Sequence, residues 1–598
     1  MCGIVGYIGD KEKKQIILNG LKELEYRGYD SSGIAVMKDG ELCFFKAVGK
    51  LENLKNKCKD FASDGYGFAI GHTRWATHGK PNEINAHPHL GEYSCVIHNG
   101  IIENYKEIKE KLQNHGINFL SQTDTEAVVR LFEYYAKEND AFSAFKKTIN
   151  DLKGAFAILL ISKKDKDKLF FAKNSAPLII GKNDNKELFF ASADAPLIGN
   201  ASEVIYLEDL SFGYANKDEL FIYENDVLKN NSFQKLSQDK IYAQKDGYRF
   251  FMEKEIYEQS NVLSEVLMGR IKDNKVVFDE LENEDLIKFS NIVLCACGTS
   301  YHAALASSYL FERLAKIQAK VEIASEFRYK DALIKEDTLF IVISQSGETA
   351  DTLEALKIAK EKGAKTLCIC NVDNSSIVRL ANLSLLTRAG IEKGVASTKA
   401  FATQVLTLWM LAIFIAQKKN FNVDSEIKAL LHTPNSVKVT NSLHDKIHRL
   451  SKRYLDGHGF FFIGRDVFYP LALEGALKLK ELSYLHAEGY PAGEMKHGPI
   501  ALADSKLYTI ALMPKNCLYD KTKSNVEELI ARDSTLLSIS PLEFDLSDDF
   551  IKTQNQDHFM NEFFEMMVVV QILAMEISIR LGNDVDMPRN LAKSVTVE

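Results

Sequence analysis

Apolar residues along the chain fall into two rhythms, and the change between them divides it. Up to about residue 225, short β-type runs recur between turn signals: Gly3–Ile8, Ser32–Met37, Leu42–Val48, Gly67–Thr73, Tyr93–His98, Ala155–Ser162, Leu169–Lys173 and Leu188–Ser192. Helical spacing intervenes at Lys13–Leu24 and Thr125–Lys137. Strand clusters with a few helices between them predict sheets covered by helices. From Asn216 to Gly247 the composition turns polar, around Lys229-Asn230-Asn231-Ser232, which predicts a linker.

Beyond residue 285 the strands change character. Ile292–Cys297, Leu339–Ile343 and Thr366–Val372 are almost continuously apolar, and helical stretches follow from Tyr301 and Thr349. Strands of that kind are buried on both faces, which predicts a parallel, doubly wound α/β sheet. The rhythm restarts at Gly459–Ile463, continues through a helix over Tyr469–Tyr484, and returns to a strand at Lys506–Leu512, so a second α/β copy is expected. Val405–Ala416 and Met566–Met575 are too short to span a bilayer and predict core helices. The expected layout is a first domain over 2–225, a linker over 226–250, α/β domains over 285–425 and 450–588, and a tail over 589–598.

Composition narrows the partners. A length of 598 residues requires several cores, and 46% hydrophobic with 26% charged residues is ordinary for a globular chain. The net charge of −8 argues against a nucleic-acid partner, so an anionic substrate must be held by local chemistry. No basic stretch precedes an apolar one at the N-terminus, so no secretory leader and no membrane partner are expected. Nine cysteines are few and odd in number. The i,i+2 pairs Cys295/Cys297 and Cys368/Cys370 read as strand packing and lack zinc-site spacing. A reducing, cytoplasmic setting is expected, with no metal and no cofactor.

Cys2 carries the most pointed chemistry. Removal of Met1 by methionine aminopeptidase leaves a thiol and a free α-amine on one residue. A neutral thiol is a poor nucleophile until a base takes its proton, and an N-terminal cysteine brings that base with it. Around it stand Arg27-Gly28-Tyr29-Asp30-Ser31, Gly71-His72-Thr73-Arg74-Trp75-Ala76-Thr77-His78-Gly79, His98-Asn99-Gly100, and Asp124 just before a helix. Hydrolysis of an amide requires donors for an oxyanion, which the Asn99 side chain and the Gly100 N–H can supply. An amino-acid substrate requires a cation for its carboxylate and a carboxylate for its ammonium, which Arg74 and Asp124 offer. Taken singly, Asn-Gly is a turn signal, Asp124 a helix cap, and Arg74 a surface charge.

These motifs, with Cys2-Gly3-Ile4-Val5-Gly6, resemble the class II, N-terminal-nucleophile (Ntn) glutamine amidotransferases over residues 2–225. The resemblance implies an αββα Ntn-hydrolase sandwich. It also implies ammonia release through a thioester on Cys2, and it adds Arg27, Thr77 and His78 to the glutamine site.

Gly298-Thr299-Ser300 and Ser344-Gln345-Ser346-Gly347-Glu348-Thr349 lie at the carboxyl ends of predicted parallel strands, where open α/β sheets bind ligands. Hydroxyls and backbone N–H groups there can hold a phosphate without much positive charge. No P-loop or dinucleotide fingerprint is present. These loops resemble sugar isomerase (SIS) domains, so the implied fold class is α/β overall, with the sandwich followed by two doubly wound parallel SIS domains. Nearly the whole chain then resembles the family of isomerizing, glutamine-dependent fructose-6-phosphate aminotransferases. Further matches are Glu474-Gly475-Ala476-Leu477-Lys478-Leu479-Lys480-Glu481, Glu494-Met495-Lys496-His497-Gly498-Pro499 and the tail from Pro588 to Glu598.

That resemblance implies L-glutamine and D-fructose 6-phosphate as substrates and a homodimer through the SIS domains. It implies phosphate contacts from Thr299, Ser300, Ser344, Gln345, Ser346 and Thr349. His497 is implied in ring opening, Glu481 in proton transfer between C1 and C2, and Lys593 in imine formation. Lys478 would tune Glu481, and Trp75 would gate an internal ammonia path. On spacing alone, Lys478 and Glu481 are an ordinary surface pair one turn apart.

Overall fold

The computed structural model describes residues 2–76, 78–230, 232–236 and 245–596, without the Arg27 side chain. Thr77, the Arg27 side chain and part of the expected linker therefore lie outside the described residues. The chain forms two compact units, Met1–Tyr242 together with Ala592–Glu598, and Ala243–Leu591.

The first unit is built from two antiparallel sheets. One has eight strands, with Gly3–Gly9 between Leu188–Ala191 and Gly67–Arg74, and Ser31–Lys38 beyond the latter. The other has seven, with Gly154–Ser162 paired between Ser94–Ile102 and Asp165–Asn174. Their inner faces meet through Ile4, Ile8, Phe68 and Ile70 on one sheet and Ile97, Leu159, Ile161 and Phe171 on the other. Helix Lys13–Leu24 covers the outer face of the first sheet through Ile17, Leu21 and Leu24. Thr125–Ala136 and Ala141–Asp151 cover the second through Val128, Phe132 and Phe145. Four layers result, because each sheet buries both faces and only helices can close the outer ones. Periodicity does not single out Tyr105–Asn114, which buries only Ile108 and Leu112 among ten otherwise polar or exposed positions.

One local expectation changes. The strand Ser94–Ile102 does not turn at Asn99-Gly100 but runs through both. Gly100 has φ +123°, and a Cβ there would lie 1.9 Å from the Ala155 carbonyl oxygen on the paired strand. Glycine is needed there because only it tolerates that backbone and that approach. The Asn-Gly pair thus serves a strand irregularity rather than a hairpin.

The second unit holds two five-stranded parallel sheets of identical winding. The first runs Gln318–Ile323, Asn291–Ala296, Thr338–Ser344, Lys365–Cys370, Leu383–Leu386; the second runs Ala487–Pro491, Gly459–Gly464, Leu507–Leu512, Thr535–Ser540, Asp549–Lys552. In each, the second strand in sequence lies outside the first, and the third lies on its other side. The winding direction therefore switches between the first and third strands, which opens a crevice at their carboxyl ends. One continuous core joins both sheets through the helices Lys399–Lys418 and Phe559–Arg580. Lys399–Lys418 is long and apolar enough to cross a membrane, but nearly all of it is buried in this core.

Within that core, Trp409 is fully buried and its Nε1–H donates to Glu426 Oε2 at 2.8 Å, while His558 Nε2 lies 3.1 Å from Oε1. Trp409→Phe removes the indole donor and leaves a buried carboxylate oxygen short of a partner. The expected cost is about 1–3 kcal/mol, read as a lower denaturation midpoint for the second unit. An unchanged midpoint would count against this packing.

Candidate functional site

Strand register brings the first constellation together. Gly3 pairs with Thr73, so Cys2 lies beside the segment that follows Arg74. The Trp75 N–H points at Cys2 Sγ at 3.3 Å, and Sγ lies 3.6 Å from the Trp75 carbonyl. From the opposing sheet, Asn99 Nδ2 donates to the Cys2 carbonyl at 3.0 Å. Burial pushes the Cys2 thiol above its usual pKa, only partly offset by the Trp75 N–H and the Arg74 charge. Cys2 is therefore protonated near neutral pH and reacts only when a base removes its proton.

Arg74 is buried at the end of its strand. Its Nη2 donates to the carbonyls of His78 and Gly79, at 3.1 Å for the latter, and so fastens the 75–79 loop. Its Nη1 is buried without a partner among the described residues. The arginine is thus half committed to the loop and half available to an anion. Asp30 also shapes the loop, accepting from the Ala76 N–H at 2.7 Å. His78 is half-buried with its ring edge-on to Tyr105.

Asp124 occupies the cap position of Thr125–Ala136, yet its carboxylate makes no cap bond to that helix. It accepts instead from the Ile102 N–H at 2.8 Å, just past Asn99-Gly100. The helix position is incidental; the carboxylate faces the strand that carries the amide.

Sequence reasoning missed the floor of this site. His72, His87, His89 and His98 are all buried, with His72 stacked on His87 at 3.9 Å between ring centroids. His87 Nε2 and His98 Nδ1 converge on Thr125 Oγ1 at 3.1 and 3.0 Å, and His89 Nε2 lies 3.0 Å from Thr123 Oγ1. Burial pulls all four imidazoles below their ordinary pKa, His72 to about 3. Five histidines within 27 residues, these four and His78, were the available signal.

In the second unit the crevice of the first sheet carries the serine loop. Ser344 Oγ accepts from the Gly347 N–H at 2.9 Å and lies 3.4 Å from Thr349 Oγ1, while Ser346 Oγ accepts from the Glu348 N–H at 3.2 Å. Gly347 has φ +67°, which lets the loop double back. Gln345 is half-buried between the two serines. Gly298-Thr299-Ser300 forms the first turn of helix Gly298–Leu310 rather than a loop before it. The Ser300 hydroxyl accepts from Gln404 Nε2 at 3.0 Å, and Thr299 Oγ1 donates to Glu474 Oε1 at 3.0 Å.

Glu474 links that turn to the helix Phe468–Ser483 of the second sheet. Its other oxygen lies 2.7 Å from His302 Nδ1, and its Oε1 lies 3.5 Å from Lys478 Nζ. Lys478 also pairs with Glu481. Positions 474, 478 and 481 share one helix face. The 478–481 pair is no surface pair, since Lys478 is 1% exposed. Burial alone would lower the Lys478 pKa, but the Glu481 and Glu474 carboxylates outweigh it and hold the ammonium charged. Glu474 and His302 were missed as site residues, although Glu474 stands four residues before Lys478.

His497 is exposed on the short helical segment Ala492–His497 and makes no hydrogen bond to Glu481 or Lys478 among the described residues. Lys593 belongs to the first unit with the tail. A separate cluster of Glu253, His444 and Glu576 has metal-like spacing, but Arg249 Nη2 lies 2.6 Å from Glu576 and already balances its charge.

The arrangement offers a half-buried thiol with an amide donor, and a guanidinium nitrogen without a partner among the described residues, in one unit. The other offers a hydroxyl-lined crevice and a buried acid–base pair. A glutamine amidotransferase domain model matches residues 74–198, and an SIS domain model matches 285–414 and 456–569. A glutamine–fructose-6-phosphate aminotransferase (isomerizing) of Campylobacter jejuni is 81% identical over the whole of both chains. The Helicobacter pylori protein of that name is 53% identical over the whole of both. The solved C-terminal domain of glucosamine-fructose-6-phosphate aminotransferase from Francisella tularensis is 40% identical. It covers 58% of this chain and all of that one, with a TM-score of 0.56.

The histidine floor sets a pH limit. Its imidazoles stay neutral in the fold, whereas the unfolded chain protonates them near pH 6.5. Stability is therefore intact above about pH 6.5 and falls as pH drops below it, by up to about 1.4 kcal/mol per pH unit for each histidine. Melting of the first unit between pH 7.5 and 5 should show a falling Tm. A flat Tm, with the His72 ring resonances titrating near 6.5, would contradict it.

Proposed function

Because the chain belongs to the glutamine–fructose-6-phosphate aminotransferase (isomerizing) family, we propose that it converts L-glutamine and D-fructose 6-phosphate to L-glutamate and D-glucosamine 6-phosphate. The observation that carries this reading is the convergence of the Trp75 peptide and the Asn99 amide on Cys2.

Once Met1 is removed, the α-amine of Cys2 takes the thiol proton, and the thiolate attacks the glutamine side-chain carbonyl. The oxyanion is held by Asn99 Nδ2–H and the Gly100 N–H; a donor of this kind is worth about 10²–10³ in rate. The adduct collapses, ammonia leaves with the proton, and water hydrolyses the resulting thioester. Arg74 Nη1 and Asp124 bind the substrate's α-carboxylate and α-ammonium, and Arg27, Thr77 and His78 complete that site. The ring of Trp75, whose backbone N–H and carbonyl contact the thiol, is assigned to gating the departing ammonia.

In the second unit the backbone and hydroxyls of Ser344, Gln345, Ser346 and Thr349 hold the phosphate, with Ser300 and Thr299 at the neighbouring helix turn. His497 opens the ring and Lys593 forms an imine with the ketone. The C2 oxygen leaves as water when that imine forms, ammonia then displaces the Lys593 amine at C2, and Glu481 carries a proton from C1 to C2. The water spent on glutamine is returned here, so the two half-reactions balance. Buried Lys478 pairs with Glu481 and holds its carboxylate in place. The exposure of His497, which makes no hydrogen bond to Glu481 among the described residues, supports a homodimer in which it serves the partner's site.

Purified protein with both substrates should yield glucosamine 6-phosphate and glutamate in equal amounts. Cys2→Ala should abolish glutamine-dependent synthesis while isomerisation of the sugar phosphate persists, and Glu481→Gln should abolish both synthesis and isomerisation with glutaminase intact. Full synthesis by Cys2→Ala would overturn the reading. A wild-type protein that binds the sugar phosphate but forms no product would favour a sensor.

A further inference from the structure

An asparagine amide has two ends of nearly the same shape, and only one orientation turns N–H donors toward Cys2. Here Asn99 Nδ2 meets the Cys2 carbonyl at 3.0 Å, and Oδ1 faces His72 Nε2 at 3.1 Å. A flip would set the amide oxygen against a carbonyl oxygen and the NH2 against the imidazole nitrogen. The penalty depends on whether that nitrogen carries a proton. The His98 carbonyl decides it, because it lies 3.0 Å from the same Nε2 and can only accept. His72 Nδ1 is buried with no partner, as expected of a bare lone pair. A neutral imidazole has one proton, and both acceptors place it on Nε2. The ring cannot turn away, since it is fully buried and stacked on His87.

We propose that His72 is a positioning residue for glutamine hydrolysis: its Nε2–H, fixed by the His98 carbonyl, locks the Asn99 amide with its N–H groups toward Cys2, where they meet its carbonyl. The inference rests on Cys2 and Asn99 acting as proposed above. His72 touches no substrate. It contributes by removing the orientation in which Asn99 would present oxygen to a developing oxyanion. A preorganised donor loses most of its value when it must first reorient.

The test compares His72→Gln, whose side-chain nitrogen reaches the Nε2 position, with His72→Asn, which is too short. Three readouts separate positioning from general damage: kcat and KM for glutamine hydrolysis, melting temperature, and affinity for L-glutamate γ-semialdehyde. This aldehyde adds the Cys2 S–H across its C=O and places the new oxygen where the oxyanion forms. His72→Asn should lower kcat about 10- to 100-fold with KM within about twofold, and weaken the aldehyde in parallel. His72→Gln should recover most of both, and His72→Asn should add little to Asn99→Ala. Should His72→Asn fail to fold, His72→Leu carries the same expectation. If Cys2→Ala and Asn99→Ala are inactive while His72→Asn matches the wild type, the inference about His72 alone is overturned. Equal failure of His72→Gln and His72→Asn also overturns it. Full activity of Asn99→Ala would instead overturn the reading beneath it.

Discussion

Cys2, His72, Arg74 and Asn99 sit where water reaches them poorly, and each must find its hydrogen bonds within the protein. That requirement shapes the first unit. An unmet buried polar group costs about 1–3 kcal/mol, so a site of this kind exists only where strand register supplies partners. The pairing of Gly3–Gly9 with Gly67–Arg74 brings the Trp75 peptide to the thiol, and the facing sheet brings the Asn99 amide. Among the described residues, His72 Nδ1 is a buried acceptor with no partner and Arg74 Nη1 a buried donor with none. Leaving the donor unmet is sensible only if a ligand anion meets it.

The second unit obeys the same rule with full charges. Lys478 and Glu474 are both buried, and bringing an ion out of water costs several kcal/mol unless it is paired and hydrogen-bonded. Glu474 satisfies three groups at once: Thr299, His302 and Lys478. It thereby ties the turn Gly298-Thr299-Ser300 to the helix that carries Glu481. Loss of the Glu474 charge would leave Lys478 with Glu481 as its single carboxylate partner among the contacts described. The two sheets of this unit share a winding order but have divided the labour, one presenting hydroxyls and the other the acid–base pair.

Much of this was legible in the chain. Continuous apolar runs such as Leu339–Ile343 announced parallel strands, because a strand covered by helices on both faces reads as an unbroken apolar run. Cys2, Arg74 and Asn99 could be picked out because their types match the demands of amide hydrolysis. Asn99-Gly100 was harder to place: the pair is ordinarily a turn, and only the approach of Ala155 shows why a strand needs glycine there. Asp124 looked like a helix cap because its true partner, Ile102, lies 22 residues away on a strand. The histidine floor was invisible for a similar reason. Its members come from different strands and a loop, and a buried histidine has no periodic signature. Lys478 read as a surface residue because its burial depends on Thr299 and His302, which precede it by more than 170 residues and hold Glu474.

Both units acquire their purpose only if nitrogen passes from one reaction to the other. Synthesis run with amide-¹⁵N glutamine in an excess of unlabelled ammonium follows that atom directly. The account predicts glucosamine 6-phosphate carrying ¹⁵N on C2 in nearly every molecule. Product whose nitrogen reflects the bulk ammonium would show that ammonia made at Cys2 is not delivered to the sugar, and would contradict it.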